Sequence, residues 1–301
     1  MEHHVWTDDE GVHLPTLVNA HTHCADAGAR PLPGMTLEEL VAPPDGLKHR
    51  YLRETPRERI VSDMREYAAR SRAYGSSHFV DFREGGVDGC MMLREASPDG
   101  FVLGRPVSKE FDADEMTELV SLSDGVALPS LSDMDLSYVE RCAECSHRAG
   151  KPFAIHVSER IHEDFETVLS LEPAFVVHMV QATRSDLKMC ADAGVPVVVC
   201  PRSNAFFGLT PPLALMLECG VDVAYGTDNT MLCTPDLREE AILAHDILES
   251  QGADGKIALD VLADGSVTIS KILGLRQVPV TLPAPDPDDP LSALGFRTPV
   301  K

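Results

Sequence analysis

Positive charge is scarce in this 301-residue sequence, which has 26 lysine and arginine residues against 48 aspartate and glutamate residues. The formal net charge at pH 7 is therefore −22 when the histidines are neutral. Non-specific binding to nucleic acid depends on lysine and arginine contacts to the phosphate backbone. The charge balance therefore excludes nucleic acid as a partner of this kind.

Long apolar runs are also missing, because no stretch reaches the roughly 18 apolar residues that a membrane-spanning helix requires. The first residues, Met1 to His4, do not form the basic region followed by an apolar stretch that is typical of a secretory signal. We therefore expect a cytoplasmic protein without a membrane partner.

The sequence lacks the cysteine pattern of a small disulfide-stapled domain. Its eight cysteines are spread along the chain, several of them within apolar runs, so we expect reduced and mostly buried thiols. Cys142 and Cys145 form a CxxC motif without a second pair, which argues against a structural zinc site or a redox motif. No internal repeat of fixed period is present.

Apolar residues make up 44% of the chain, which is typical of a globular protein with a buried core. Short β-branched runs alternate with segments of helical period, and this alternation is typical of a parallel sheet covered by helices. The pattern predicts one α/β domain, a distorted (β/α)8 barrel, which typically takes about 250 residues. The eight predicted strands are residues 16–20, 77–82, 101–105, 125–130, 153–157, 174–178, 195–200 and 222–226. Three helices are expected to begin at Thr55, Thr183 and Thr234, each followed by a proline or a capping acid.

Two segments interrupt the alternation. Residues 24–56 are rich in proline and predict a long loop after the first strand, where lids are common. Residues 283–290 alternate proline and aspartate, which predicts an extended tail. We therefore divide the chain into a barrel, residues 1–278, and a tail, residues 279–301.

An HxH pair, His21 and His23, follows the first predicted strand. Residues two apart in a strand point to the same side, so both imidazoles face one point. His156, His178 and Asp228 stand at the ends of three later predicted strands. The carboxyl ends of barrel strands meet at one mouth, where active sites of this fold are built. These side chains predict a metal site, with zinc favoured over iron(II) and manganese(II).

Glu159 comes three residues after His156. A carboxylate just beyond a ligand-bearing strand can reach an activated water without binding the metal, as a general acid/base must. The alternative is a solvated glutamate at a helix start. Polar residues after strands two and seven are candidate substrate contacts, with a structural ion pair or a loop brace as the alternative. These are Arg83, Glu84, Arg202 and Asn204.

Five motifs occur at consistent spacing: NAHTH (19–23), HVSE (156–159), VVHM (176–179), CPRSN (200–204) and GTDN (226–229). Over roughly residues 14–250 the chain resembles the amidohydrolase superfamily, in particular its cytosine, guanine and adenosine aminohydrolase branch. The resemblance implies that the metal ligands are His21, His23, His156 and Asp228. It also implies that Glu159 transfers protons and that His178 orients or polarises the attacked group.

Two features depart from that family. Its members with two metal ions carry a carboxylated lysine at the end of strand four, where this sequence has GVALPS over residues 125–130. We therefore expect one divalent metal ion per chain. The family also commonly has a β-sandwich built from both chain ends, but few residues precede strand one here. The β-sandwich should be reduced or absent.

The expected function is metal-dependent hydrolytic deamination of a small heterocyclic amine, such as a purine, pyrimidine or pterin base or a nucleoside. In this scheme Asp228 accepts a proton from the attacking water, Glu159 protonates the ring, and His178 hydrogen-bonds to the attacked centre. Hydrolysis of a cyclic amide or a C–Cl bond in a related ring is the alternative within the same class. A metal-binding barrel without activity is the alternative outside it. Assembly into a homo-oligomer is left open.

Overall fold

A computed structural model of the chain describes residues 5–32, 34–41, 45–284 and 290–295. These residues form a large parallel sheet surrounded by helices and a second, three-stranded antiparallel sheet. The described strands are β1 (Trp6–Asp8), β2 (Gly11–Leu14), β3 (Val18–His23), β4 (His78–Arg83), β5 (Phe101–Gly104), β6 (Gly125–Leu128), β7 (Phe153–Val157), β8 (Phe175–His178), β9 (Val197–Val199), β10 (Val223–Tyr225), β11 (Asp228–Asn229) and β12 (Val280–Leu282).

The helices lie mainly between consecutive strands. They are α1 (Leu37–Val41), α2 (Leu47–Glu54), α3 (Arg57–Ala73), α4 (Gly86–Ala96), α5 (Ala113–Leu122), α6 (Leu136–Arg148), α7 (Phe165–Ser170), α8 (Arg184–Ala193), α9 (Pro201–Phe206), α10 (Leu213–Glu218), α11 (Leu237–Ser250) and α12 (Ile257–Ile272). Short 3₁₀ turns occupy Cys24–Asp26, Leu131–Asp133 and Pro290–Leu294. None of the described helices combines the length and the apolar character needed to cross a bilayer.

The large sheet closes into a barrel. Strands β3 to β10 pair in chain order, and β11, which almost directly continues β10, pairs with β3 at the other end of that order. Asp228 lies opposite Thr22 in this last pairing, and Thr227 N donates to the His21 carbonyl oxygen at 3.1 Å. The predicted (β/α)8 barrel is confirmed, and every predicted strand overlaps an observed one.

The inside of the barrel is filled by apolar side chains beneath the mouth. Phe82 on β4 lies 6.0 Å from Phe175 on β8, centroid to centroid, although these strands are not neighbours in the sheet. Phe82 also packs edge-on against the rings of His21 and His156, at 4.3 and 5.1 Å. The rings of His21 and His156 therefore pack directly on the apolar side chains that fill the barrel beneath the mouth.

Within the described residues, the chain ends form the small sheet of β1, β2 and β12, in which Val280 pairs with Leu14. This agrees with the expected reduced β-sandwich. Within the tail predicted from Pro279, Val280–Leu282 form the paired strand β12, and the turn Pro290–Leu294 buries Leu291 and Leu294. Leu282, Leu291 and Leu294 supply the apolar surface that these parts of the tail bury. The remaining tail residues, 285–289 and 296–301, lie outside the described residues.

The loop predicted over residues 24–56 contains two helices, α1 and α2. Leu40 is fully buried, and Tyr51 donates to Asp63 on α3 at 2.5 Å, so this segment is packed against the barrel. Thr55 ends α2 and does not cap α3, which begins after Pro56 without a side-chain cap. The capping box of Thr183 is confirmed, whereas α11 is capped by Asp236 and not by Thr234.

Candidate metal centre and active site

The HxH pair lies within the end of β3. Its pairing with β4 shifts register between Asn19 and Thr22, next to both histidines. His21 is fully buried. The Nε2 atoms of His21 and His23 approach the same atom, Asp228 Oδ1, at 3.2 and 3.5 Å. Residues from the first and last barrel strands thus converge at the closing seam of the barrel, where β11 pairs with β3.

Hydrogen bonds orient two of the imidazoles. His156 Nδ1 lies 2.9 Å from the Leu128 carbonyl oxygen, and His23 Nδ1 lies 3.0 Å from the Phe82 carbonyl oxygen. A ring nitrogen that donates to a carbonyl leaves the other nitrogen with a free lone pair. This is the usual outer arrangement around metal-binding histidines. The Nε2 atoms of both residues are therefore available as ligands.

Unusual backbone conformations aim two further side chains. His178 has φ 78° and Asp228 has φ 56°, values that side-chain-bearing residues rarely adopt. Such strain is concentrated at functional sites, where surrounding structure holds it. Ligand atoms of His21, His23 and His156 lie within 4.8 Å of one another, and so do those of His21, His178 and Asp228. The two groups share His21 and form one cluster.

This donor set fits a divalent metal ion. Burial lowers the pKa of His21 to about 3 and holds the pKa of His156 well below its usual range. Both imidazoles are therefore neutral, which is the form that binds a metal. Imidazole and carboxylate donors around one point are typical of zinc and of neighbouring transition metals.

Glu159 lies beside the cluster on the loop after β7. Its Oε1 is 3.7 Å from His178 Nε2 and accepts a hydrogen bond from Asn204 Nδ2 at 3.5 Å. Burial raises the pKa of Glu159, which favours the protonated acid. Glu163 holds the loop in place, because its carboxylate accepts from Ser158 N at 2.7 Å and from Ser132 N at 2.8 Å.

A cavity of about 680 Å³ opens directly above these groups. The metal-site cluster reaches it through His23, His156, His178 and Asp228, and Glu159 lines it as well. Pockets for small molecules typically measure about 300–1,000 Å³. The cavity is large enough for an organic substrate to contact both the metal-site cluster and Glu159.

The four candidate substrate contacts divide into two groups. Glu84 lines the cavity, and Asn204 lies just behind it, in contact with Glu159 and His178. Arg83 is buried beneath the mouth. Its guanidinium nitrogens lie 3.4 Å from Asp81 Oδ1 and 3.0 Å from Glu84 Oε2.

Arg202 is held outside the cavity. Its Nε donates to Glu240 at 2.7 Å, and it also contacts Glu239 and Thr234. The structure therefore brings neither arginine to the cavity surface, because acidic partners within the fold occupy both. For Arg83 and Glu84 the alternative left open was a structural ion pair, and the 3.0 Å contact between these two residues is of that kind.

Sequence reasoning missed several residues of the site. Ser203 donates to Asp228 Oδ2 at 2.5 Å, and its place in the CPRSN motif beside Asn204 was the available signal. Lys48 on α2 is buried at the mouth, 2.5 Å from Glu84 Oε1, in a segment expected to be a loop. Arg105 lines the cavity directly after β5, and its position at a strand end could have indicated it.

A search against family models finds no match for this chain. Curated relatives do match it. One named "Putative aminohydrolase" from Archaeoglobus fulgidus is 37% identical over 234 residues, covering 77% of this chain and 68% of the relative. Another of the same name from Methanothermobacter thermautotrophicus is 36% identical over 250 residues, covering 75% of this chain. This chain spans only 65% of the second relative's length.

Solved structures share the fold. An adenosine deaminase from Xanthomonas campestris with bound zinc superposes with a TM-score of 0.67 at 20% identity, covering 87% of this chain and 67% of that one. A triazine hydrolase from Arthobacter aurescens superposes with a TM-score of 0.72 at 17% identity, and the match covers 93% of this chain and 78% of that one.

The barrel and the cluster at its mouth define a class of protein, the α/β barrels that carry a histidine and aspartate cluster at the carboxyl ends of their strands. Within that class, the chain belongs to the amidohydrolase superfamily, together with the two archaeal relatives named for aminohydrolase activity.

Proposed function

We propose that this protein is a zinc-dependent aminohydrolase that removes ammonia from a small heterocyclic amine, a purine, pyrimidine or pterin base or a nucleoside. One zinc ion per chain would be held by His21, His23, His156 and Asp228. The observation that carries the proposal is the position of Glu159, whose Oε1 lies 3.7 Å from His178 Nε2 beside the ligand cluster and on the cavity wall.

When bound, the metal would supply Lewis-acid activation of a water molecule at neutral pH. Asp228 is placed to accept the proton of that water. Its Oδ1 faces His21 and His23, and its Oδ2 accepts a hydrogen bond from Ser203. These contacts favour one orientation of the carboxylate.

Glu159 has the environment of a proton donor. Burial raises its pKa, so the protonated form persists to higher pH than in an exposed glutamate. As the acid it would protonate the ring nitrogen next to the attacked carbon. It would then take up the proton that Asp228 had accepted from the water and deliver it to the departing amino group, which leaves as ammonia. The hydroxyl proton released as the carbonyl forms would restore the acid. Positioned proton transfer of this kind contributes about 10²–10⁴-fold in rate.

The role of His178 follows from its hydrogen bonds. Asn204 Nδ2 can only donate, so His178 Nδ1, at 3.3 Å, must accept. The proton of the neutral ring then resides on Nε2, which faces Glu159 and the cavity. His178 is therefore oriented to donate to the oxygen that develops on the attacked carbon.

The test is metal analysis of the purified protein, followed by an ammonia-release screen over aminopurines, aminopyrimidines, pterins and their nucleosides. We expect a zinc-to-protein ratio near one and ammonia from at least one ring. Chloride release, or ring opening without ammonia, would assign the chain to the alternative hydrolytic reactions instead. A metal-loaded protein that releases no product from any ring would contradict the proposal.

A further inference from the structure

The wall of the cavity contains two basic side chains on the segment that follows β5. Arg105 is partly buried and Lys109 is exposed, and both line the cavity. Within the described ranges, neither side chain forms an ion pair or a hydrogen bond with another residue. In a chain with a net charge of −22, two cations without carboxylate partners on a cavity wall are an exception to the charge pattern.

Acidic residues of the same cavity are engaged elsewhere. Glu84 contacts Lys48 at 2.5 Å and Arg83 at 3.0 Å. Asp135 caps α6 by accepting from Tyr138 N, and Asp133 lies 4.0 Å from Arg160. Within the described ranges these three acidic residues therefore form no ion pair with Arg105 or Lys109.

The segment that carries these cations is held without using their charges. Glu115 accepts hydrogen bonds from Val107 N at 2.7 Å and Ser108 N at 3.0 Å. Tyr138 donates its hydroxyl to the Ser108 carbonyl oxygen at 2.9 Å, and Arg105 N donates to the Arg83 carbonyl oxygen at 2.9 Å. A segment fixed in this way presents its side chains at a low entropic cost on binding.

We propose that Arg105 and Lys109 form a subsite for an anionic substituent of the heterocyclic substrate, either a carboxylate or a phosphate. The inference rests on the proposed function and specifies its substrate class. Guanidinium binds the oxygens of both groups through paired hydrogen bonds, and the partial burial of Arg105 limits solvent screening. The cavity of about 680 Å³ has room for a ring at the metal-site cluster together with such a substituent.

The kinetic test compares neutral and charged forms of whichever ring the screen selects. The matched substrates are a nucleoside, its 5′-carboxylate and its 5′-monophosphate, or a pterin and its 6-carboxylate. We expect one charged form to exceed the neutral form in kcat/KM by about tenfold or more, as a hydrogen bond to a charged group allows. The form that is preferred distinguishes carboxylate from phosphate.

Variants locate the effect. Arg105→Gln combined with Lys109→Gln should raise KM for the charged substrate about tenfold or more with little change in kcat, because the contact binds ground state and transition state alike. Kinetics on the neutral substrate should be unchanged. Arg105→Lys should retain part of the preference. Arg65→Gln, which removes one positive charge from the exposed face of α3, is the control for Arg105→Gln alone and for a general effect of lost positive charge.

A binding measurement separates this inference from the proposed function. Inorganic phosphate and acetate are titrated into the metal-loaded protein by calorimetry. Saturable binding that is lost in the double variant and retained in Arg65→Gln supports the subsite even if every ring in the screen is inert. Binding that is unchanged in the double variant, or equal kcat/KM for neutral and charged substrates, would overturn it.

Discussion

Ser203 and Asn204 lie behind the candidate catalytic groups and fix their orientation. Ser203 donates to Asp228 at 2.5 Å, and Asn204 contacts both His178 and Glu159. Buried polar groups of this kind act through the side chains that they contact, because their hydrogen bonds favour one orientation and one tautomer of each. The adjacent motif residues on α9 therefore matter through the groups that they hold.

Removing the Ser203 hydroxyl tests this role. Ser203→Ala should weaken metal binding by about 10–100-fold, the usual effect of losing an outer-layer contact to a metal ligand. Competition with a chromogenic chelator measures the affinity. Ser170→Ala, the same change on the exposed end of α7, serves as control. Equal affinities in Ser203→Ala and wild type would contradict the role.

Glu159→Gln should lower turnover by about 10²-fold or more while the metal content stays at the wild-type level, because the amide keeps the shape but cannot transfer the proton. His156→Ala should instead lose the metal. Steady-state kinetics and metal analysis on the same preparations separate the two effects, with Glu166→Gln on exposed α7 as control. If Glu159→Gln kept more than about a tenth of the activity, the assigned proton transfer would be wrong.

At the scale of elements, the junction between β10 and β11 determines where the metal-site cluster forms. Gly226 lies so close to β3 that a Cβ there would be 2.7 Å from His21 Cβ and 2.9 Å from the His21 backbone nitrogen. Only glycine permits this approach of the last strand to the first. The closing seam of the barrel and the first ligand pair are therefore one structural feature.

Gly226→Ala should push β10 and β11 away from His21. We expect a loss of about 1–3 kcal/mol in the free energy of unfolding, as for overpacked cores, together with weaker metal binding. Gly252→Ala is the control, because its φ of 80° strains an alanine at a site with no atoms within 4 Å. The control should lose stability and keep its metal affinity. Wild-type metal affinity in Gly226→Ala would show that the seam tolerates a side chain.

Helix α2 is anchored over the mouth by a buried charge. Lys48 is only 4% exposed, and its ammonium lies 2.5 Å from Glu84 Oε1 and 3.3 Å from Asn229 Oδ1. A buried ion pair adds little net stability, but removing one partner leaves a costly unpaired charge. The ion pair between Lys48 and Glu84 therefore holds α2 in one position beside the cavity.

Lys48→Met should release that anchor. Backbone amides of α2 should exchange with solvent faster than in wild type, while those of α3 keep their protection, and KM should rise because the cavity wall is less ordered. Hydrogen exchange followed by mass spectrometry measures the first effect. Arg50→Met on the exposed side of α2 makes the same charge change and should alter neither quantity. Unchanged exchange in Lys48→Met would rule out the anchoring role.

The whole molecule is strongly acidic, and this determines how it responds to salt. With a net charge of −22, repulsion among carboxylates destabilises the compact state. Exposed ion pairs such as Arg57–Glu95 and Arg184–Glu218 offset little of it, because such pairs are worth about 0–1 kcal/mol each. Screening the repulsion should therefore stabilise the fold.

Tm should rise between about 0.01 M and about 1 M NaCl, because the Debye length falls from about 30 Å to about 3 Å over this range. Circular dichroism during heating measures the transition. Sucrose at matched osmolarity separates charge screening from solvent exclusion, since only the salt shortens the Debye length. A Tm that falls with salt would mean that attractive pairs outweigh the net repulsion.

Local sequence patterns were sufficient to predict the barrel. Apolar runs and helical periods are properties of neighbouring residues, so all eight strands and the capping box of Thr183 could be predicted. The convergence of His21, His23, His156, His178 and Asp228 followed as well, because parallel strands in a barrel end at one mouth. The helices in residues 24–56 could not be predicted, because their stability comes from packing against α3 and the mouth and not from local signals.

Tertiary structure alone decided which charged residues are available to a substrate. Arg83, Arg105 and Arg202 each follow or end a strand, and of the three only Arg83 has acidic residues close to it in the sequence. Arg83 lies between Asp81 and Glu84, and Arg202 meets Glu240, which is 38 positions further along the chain. Arg105 faces the cavity without such a partner among the described residues. The carboxylate that pairs with a cation can be a sequence neighbour, as for Arg83, or can come from a distant segment, as for Arg202, so only distances in space show whether a cation is paired.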